Sequence, residues 1–249
     1  MNRYRASLIH FALSVGVALI VFAVLRFLWY PGPLFGYAGG LELLAVITAV
    51  DVTIGPIITL IVFVPGKRGL KFDLATIALL QLAALAFGLH ALAESRPVWI
   101  TFVKDRFELV RAIDIDDADR AKATPEFRGL SWFGPIYAGA RKPTDAREQL
   151  RMMDSAILGG KDLYSYPEFY VSYASVAGDV AAKARPLDEL RKHNPERPEA
   201  VAAIARDVGR PEAELAFLPM RAGKVDMTVV VDRASGAVLA LSPLKPWEY

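Results

Sequence analysis

The chain has 249 residues, 54% of them apolar, a mean hydropathy of +0.31 and a formal net charge of +2. So apolar an average points to a membrane protein, and the absence of cysteine excludes disulfides, thiolate metal sites and cysteine nucleophiles. Six of the 29 Lys and Arg and four of the 27 acids fall in residues 1–94, so residues 95–249 are neutral and lack the clustered positive charge that nucleic-acid binding needs.

Residues 8–30, 41–64 and 72–93 are nearly unbroken apolar runs of 22–24 residues. Each is long enough to cross about 30 Å of hydrocarbon as a helix. The first exceeds a signal-peptide core and ends in Phe27-Leu28-Trp29-Tyr30-Pro31 without a small-x-small cleavage site, so it reads as an uncleaved anchor. Arg3 and Arg5 precede span one, and Lys67, Arg68 and Lys71 fill the loop between spans two and three. Positive loops stay in the cytoplasm, so the expected topology is a cytoplasmic N-terminus, a bacterial inner-membrane anchor and a periplasmic C-terminal domain. Trp29, Tyr30 and Tyr37 stand where an outer aromatic belt belongs. The expected division is a three-helix transmembrane region over 1–94 and a periplasmic domain over 95–249.

Past Arg96-Pro97, residues 98–103 are β-branched and aromatic and predict a strand. Residues 106–113 predict a second strand or its continuation. The charged run 114–122 reads as a short helix, and 127–140 as loop or short strand. Thr144 is placed as the N-cap of a helix over 145–158 closed by Gly159-Gly160. Tyr164, Tyr166, Phe169, Tyr170 and Tyr173 form an aromatic cluster, better suited to a core than to a ligand cage. Helices are expected over 175–184, 187–193 and 198–208, the last ended by Gly209, with one more short helical turn at 211–216. Residues 227–232 and 237–241 read as a hairpin around a turn in which Gly236 takes a positive φ. The fold class is therefore membrane α-helical plus a C-terminal α+β domain with a terminal β-hairpin, its first and last segments paired in one sheet.

Asp51 is the outstanding polar residue. It lies about midway through span two, where an ionisable group is costly and usually faces inward. Gly55-Pro56 follows within about a turn, and Pro56 removes a backbone donor and can kink the helix. Two readings stand side by side: a polar lock or partner-binding point, or a structural contact between spans with Thr48, Thr53, Gln81 or His90 in reach. Arg26 and Glu42 flank the short loop after span one, where their side chains can meet as a salt bridge or snorkel. His10 and His90 lie toward opposite faces of the membrane, read as interfacial, and cannot share a metal. Asp114, Asp116, Asp117 and Asp119 miss the glycine and glutamate of a calcium loop and read as a solvated acidic face. No nucleophile elbow, zinc-protease or phosphate-loop pattern occurs, Gly159-Gly160-Lys161-Asp162 included. His193 alone is a poor basis for a triad. No catalytic residue, metal or cofactor is expected, and the protein is read as a non-enzyme.

One longer pattern carries more. Tyr30-Pro31-Gly32-Pro33-Leu34-Phe35 is followed by Gly39-Gly40. Then comes Asp51-Val52-Thr53-Ile54-Gly55-Pro56-Ile57-Ile58-Thr59-Leu60-Ile61-Val62-Phe63. Gly66-Lys67, Leu70-Lys71-Phe72-Asp73-Leu74, Gln81 and Gly88 come next, then Arg96-Pro97-Val98 and Asp105-Arg106-Phe107. Near the end stand Phe217-Leu218-Pro219, Asp226-Met227-Thr228-Val229 and Pro246-Trp247. This pattern resembles the TfpX/TfpZ family of type IV pilin accessory proteins, over nearly the whole chain and most densely in residues 30–107. The resemblance implies an inner-membrane helper of pilus biogenesis whose partner is the major type IV pilin, with the pilus assembly machinery as a further partner. It implies no catalytic residue. Asp51, Gly55, Pro56, Arg26 and Glu42 are the candidate partner-binding or intramembrane polar residues. A membrane-anchored periplasmic sensor that binds a ligand and signals through a partner is the alternative, and a membrane enzyme using Asp51 or His90 the third.

Overall fold

The computed structural model describes residues 2–157, 161–223 and 225–248. Its contacts divide the chain into Met1–Arg96 and Pro97–Tyr249.

The first unit is helical throughout. Helix α1 (Arg3–Ala23), capped by the Asn2 side chain, runs into one wide π-helical turn, Val24–Trp29. That turn closes with the Tyr30 N–H donating to the Leu25 carbonyl at 2.8 Å, just before Pro31. After the short α2 (Leu34–Tyr37), α3 (Gly40–Ala49) is joined through a second wide turn, Val50–Ile54, to α4 (Gly55–Val62). Helix α5 (Leu70–Ser95) is the longest. These make three rods, Arg3–Trp29, Gly40–Val62 and Leu70–Ser95, each long and apolar enough to cross a membrane. Their large apolar side chains mostly face outward, among them Leu13, Ile20, Leu80 and Phe87, as expected where the surrounding solvent is hydrocarbon. The rods begin five, one and two residues before the expected 8, 41 and 72.

The second unit is built on one mixed sheet. Strand β1 (Pro97–Val103) is buried along its whole length, consistent with a central place. It pairs antiparallel with β2 (Arg106–Arg111) through a two-residue turn and parallel with β3 (Ile136–Ala140). Helices α6 (Asp117–Lys122) and α7 (Pro125–Arg128) lie between β2 and β3, and α8 (Ala146–Ile157) follows β3. Strand β4 (Tyr170–Ser172) lines the far side of β3. Helix α9 (Ala177–Lys183), β5 (Arg185–Pro186), α10 (Leu187–His193) and α11 (Pro198–Val208) lead to the long hairpin β6 (Leu215–Ala222) and β7 (Val225–Asp232), and β8 (Val238–Ser242) closes the sheet. The strand order is β4-β3-β1-β2-β6-β7-β8, with β5 also on β6. The first and last strands thus share a sheet, but β2, β6 and β7 separate them.

Two apolar cores cover this sheet. One gathers Trp99, Phe127, Leu163 and Tyr170 with neighbours from β1, β2 and β3. The Trp99, Phe127 and Tyr170 rings meet edge-on at 5.6–5.8 Å. Of the expected aromatic cluster, Tyr170 is in this core with Tyr164 and Phe169 packed against it and Tyr166 is buried, whereas Tyr173 is half-buried beside Phe107 and Tyr137. The other core packs α10 and α11 onto Leu215, Phe217 and Val230.

Local chemistry explains several departures from expectation. Asp145 caps α8, its Oδ1 accepting from the N–H groups of Arg147 at 2.8 Å and Glu148 at 3.2 Å, so Thr144 is not the cap. The expected close at Leu158-Gly159-Gly160 lies outside the described residues. The acidic run is a solvated face at Asp116 and Asp117, which are exposed, but not at Asp114 and Asp119. Asp114 accepts from Arg111, Asp117 pairs with Arg120, and Asp119 is buried between Lys122 at 2.8 Å and Lys161 at 2.7 Å. The short helical turn expected at 211–216 is a 3-10 turn at Glu212–Glu214, and strand β6, for which no expectation stands, runs on from it through Pro219. β5 covers Ala216 and Phe217 on one side of β6, and β2 covers Met220 and Arg221. Pro219 falls in the handover between them, where a missing N–H costs no ladder bond. Gly236 takes φ +71, and its Cβ would fall 2.0 Å from the Ala177 carbonyl oxygen.

Candidate functional site

Span two breaks its regular winding where it is least apolar. Pro56 has no N–H to return to the Val52 carbonyl, and its ring crowds that carbonyl. The backbone opens into the wide turn Val50–Ile54, and α4 restarts at Gly55 with Pro56 in its first turn. Wide turns of this kind gather at functional sites. Asp51 lies inside the turn, half-buried.

The three spans meet beside it through polar groups. Ser7 donates its hydroxyl to the Pro56 carbonyl at 2.8 Å. His10 Nδ1 lies 2.6 Å from Thr59 Oγ1, donating or accepting according to its tautomer. His10 also comes within electrostatic reach of Asp51. Span three enters through Gln81. A Cβ on Gly55 would fall 1.9 Å from Gln81 Nε2 and 3.0 Å from His10 Nε2, so only glycine admits both side chains to this face of span two. The Gly55 backbone is ordinary helix, φ −59; close approach, not conformation, calls for glycine here. The cluster therefore holds Ser7 and His10 from span one, Asp51, Gly55, Pro56 and Thr59 from span two, and Gln81 from span three.

Of the residues expected to matter, the structure brings Asp51, Gly55 and Pro56 into this one place and leaves Arg26 and Glu42 outside it. Arg26 sets its guanidinium 5.6 Å from the Phe27 ring centroid. Glu42 stands in the first turn of α3, where a carboxylate suits the positive end of the helix dipole. That end of the bundle is closed differently. Tyr30, fully buried, donates its hydroxyl to the Ser95 carbonyl at 2.9 Å, and Gly40 lies under its ring. His90 is exposed on span three.

His10 was placed by sequence at the membrane interface; the structure puts it inside the cluster. Ser7 and Thr59 had no assigned role. A signal exists for all three: Ser7, His10 and Ser14 recur at helical spacing on span one, as Asp51, Gly55 and Thr59 do at intervals of four on span two.

Chemically the cluster is a polar lock. Its two hydrogen bonds, Ser7 to Pro56 and His10 with Thr59, join span one to span two and are worth on the order of 0.6–1.7 kcal/mol each in a membrane; span three meets them by the close approach of Gln81 to Gly55. Ser7 is engaged with a backbone carbonyl and not with a base. No group of three or more His, Asp or Glu able to hold a metal occurs among the described residues.

Comparison with known proteins bears on what the lock serves. The family model described as fimbrial assembly protein FimB matches residues 1–39, which span α1, its wide turn and α2. The fimbrial assembly protein of serogroup I from Dichelobacter nodosus is 30% identical over 234 residues, 92% of this chain and 90% of that protein. Its serogroup E1 counterpart matches with the same identity and coverage. The fimbrial assembly protein of serogroups C1 and C2 is 35% identical over 114 residues, 45% of this chain and 86% of that protein. No solved structure matches.

Proposed function

Because this chain belongs to the family of fimbrial assembly proteins, we propose that it is an inner-membrane accessory protein of type IV pilus biogenesis, acting on pilin as a dedicated chaperone or assembly modulator. The resemblance to TfpX/TfpZ accessory proteins narrows the reading to a helper of one pilin. The N-terminus is then cytoplasmic, with Lys67, Arg68 and Lys71 on the same side, and Pro97–Tyr249 periplasmic. The role is a binding one and not an enzymatic one.

The observation that carries the reading is the state of span three. None of its most apolar stretch is buried, whereas spans one and two each bury part of theirs; within Leu70–Ser95 only Leu92 is buried. This rod approaches the other two at Gln81 beside Gly55 and at Gly88 beside Ile47, and most of its large apolar side chains face outward. A pilin subunit waiting in the membrane presents a single apolar helix, and a helix laid along span three would pack there by close contact. The periplasmic domain then stands on the side of the membrane where pilin heads stand.

A photo-crosslinking residue at Phe87, exposed on span three, tests this in cells that make the pilin. The expected product is a crosslink to the major pilin, with fewer surface pili when the gene is deleted. Loss of pili on deletion without any pilin crosslink from span three would reject direct handling of pilin by this rod. A phosphatase reporter fused after Tyr249 tests the orientation; it should be active, and a reporter that works only in the cytosol would overturn the topology.

A further inference from the structure

The exposed large apolar side chains of Pro97–Tyr249 are not scattered. Among the described residues they are Ile113 (56%), Trp132 (54%), Phe133 (83%), Ile136 (50%), Val225 (41%) and Leu150 (57%). Strand register sorts them. Arg111, the last residue of β2, pairs with Pro97, the first of β1, so Ile113 follows at the Pro97 edge of the sheet. β3 runs parallel to β1 with Ile136 opposite Trp99. Trp132 and Phe133 therefore precede β3 at that same edge. β6 runs parallel to β2 with Met220 opposite Phe107 and Arg221 opposite Glu108. Its turn into β7, where Val225 pairs with Ala222, thus also falls toward the Arg111 and Pro97 end. Five of the six lie along one edge, and Leu150 alone does not.

That edge is where the chain arrives from the membrane. Ser95 ends span three and Pro97 begins β1, with Arg96 between them. A row of Trp, Phe and Ile along the edge at which β1 begins, one residue after a span in sequence, has the composition of a lipid interface, and isolated apolar side chains would not line up so. We propose that this edge is a membrane-seating surface, whose Trp132-Phe133 loop, with Ile113, inserts among the headgroups and upper acyl chains of the phospholipid bilayer. The sheet then stands on the bilayer with its strands rising from it. The β1–β2 turn at Lys104-Asp105 points away, about 20 Å from the surface at 3.3 Å per residue. The inference rests on the reading of the three rods as membrane spans.

The cysteine-free chain allows a direct test. The full-length protein is reconstituted in phosphatidylethanolamine–phosphatidylglycerol vesicles as four single-cysteine variants, Phe133→Cys, Ile113→Cys, Asp105→Cys and Leu79→Cys. Each carries a nitrobenzoxadiazole label and is read against lipids bearing a nitroxide at the headgroup, at a shallow or at a deep acyl position. Labels at 133 and 113 should be quenched several-fold more by headgroup and shallow nitroxides than the label at 105, and the label at 79 should be quenched by the deep one. Quenching at 133 and 113 no greater than at 105, with 79 quenched, would overturn the seating surface and leave the spans standing. An unquenched label at 79 would overturn the spans and the seating with them.

Discussion

The two units of this protein are built inside out relative to each other. In Met1–Arg96 the apolar side chains face outward, and the contacts that select one packing are polar or backbone-close: Ser7 on Pro56, His10 on Thr59, Gln81 over Gly55. In Pro97–Tyr249 most large apolar side chains are interior, those of the Pro97 edge and Leu150 apart, and charges are paired around the rim, as Arg111 is with Asp114 and Arg191 with Glu212. In hydrocarbon, burying leucine against leucine gains little over leaving it in lipid, so specificity passes to hydrogen bonds and small residues. In water the same burial is the main driving force, and the polar pairs add a little.

The comparison breaks or stands on one chemical change made in both places. Phe217 is fully buried in the sheet domain and Phe87 faces outward on span three. Phe217→Ala is expected to cost about 3–5 kcal/mol through lost burial and a cavity, and Phe87→Ala about 0.5 kcal/mol or less. Proteolysis of the full chain in detergent across a urea series would read both. Equal losses would sink the contrast. Glycine sharpens it at the next scale down. Gly236→Ala forces a side chain into φ +71 against backbone atoms of Ala177 and Ala181, a strain of about 1–3 kcal/mol before the clash is added. Gly55→Ala meets the tip of Gln81, which can swing aside. Adding Gln81→Ala should therefore rescue Gly55→Ala in a thermal-stability assay, whereas no single side-chain truncation should rescue Gly236→Ala.

Smaller again is the polar lock itself. Thr59→Val keeps the volume and removes the hydroxyl that meets His10, at an expected loss of about 0.6–1.7 kcal/mol. Detergent-titration unfolding of the helical unit is the measurement. A loss confined to this unit, with the proteolytic stability of the sheet domain unchanged, is the expected outcome.

How much of this was legible in the sequence follows from the same contrast. The spans are legible because one local property, an apolar run of sufficient length, specifies each. The terminal hairpin is legible because alternation and Gly236 are local too. Strand β6 is not, and β3 is legible only in part: Ile136-Tyr137-Ala138-Gly139-Ala140 reads as loop or short strand, and its glycine is there for Val176, whose Cγ atoms would stand 2.6 Å from a Cβ. Pro219 argues against a strand until β5 and β2 are seen to leave it a gap. The site divides likewise. Asp51, Gly55 and Pro56 announce themselves by being costly in a span. His10 does not, because position along a helix says how deep a residue lies but not which neighbouring rod its face meets.

A further, modest effect is electrostatic and belongs to the rim of the sheet domain. Burial of Asp119 works to raise its pKa. The hydrogen bonds from Lys122 and Lys161 outweigh that and hold the carboxyl below its usual value. A carboxylate whose folded pKa lies below its unfolded value, about 3.9, stabilises the fold above that pH and loses the contribution as pH falls through the folded pKa. Asp119→Asn should therefore cost up to about 1 kcal/mol at pH 7, given how exposed Lys122 is. The gap between variant and parent should close as pH falls below about 4. Asp232, held low by hydrogen bonds from Ser235 and Ala234 with Arg210 beside it, has the same sign and keeps some acid sensitivity in the variant. Glu108 has the opposite sign, because burial raises it in spite of Arg106. Parent and variant must therefore be compared pH by pH, as urea midpoints from pH 3 to pH 7. A constant gap across that range would mean that the Asp119 contribution is not charge pairing, and that packing rather than rim electrostatics acts at this corner of the sheet domain.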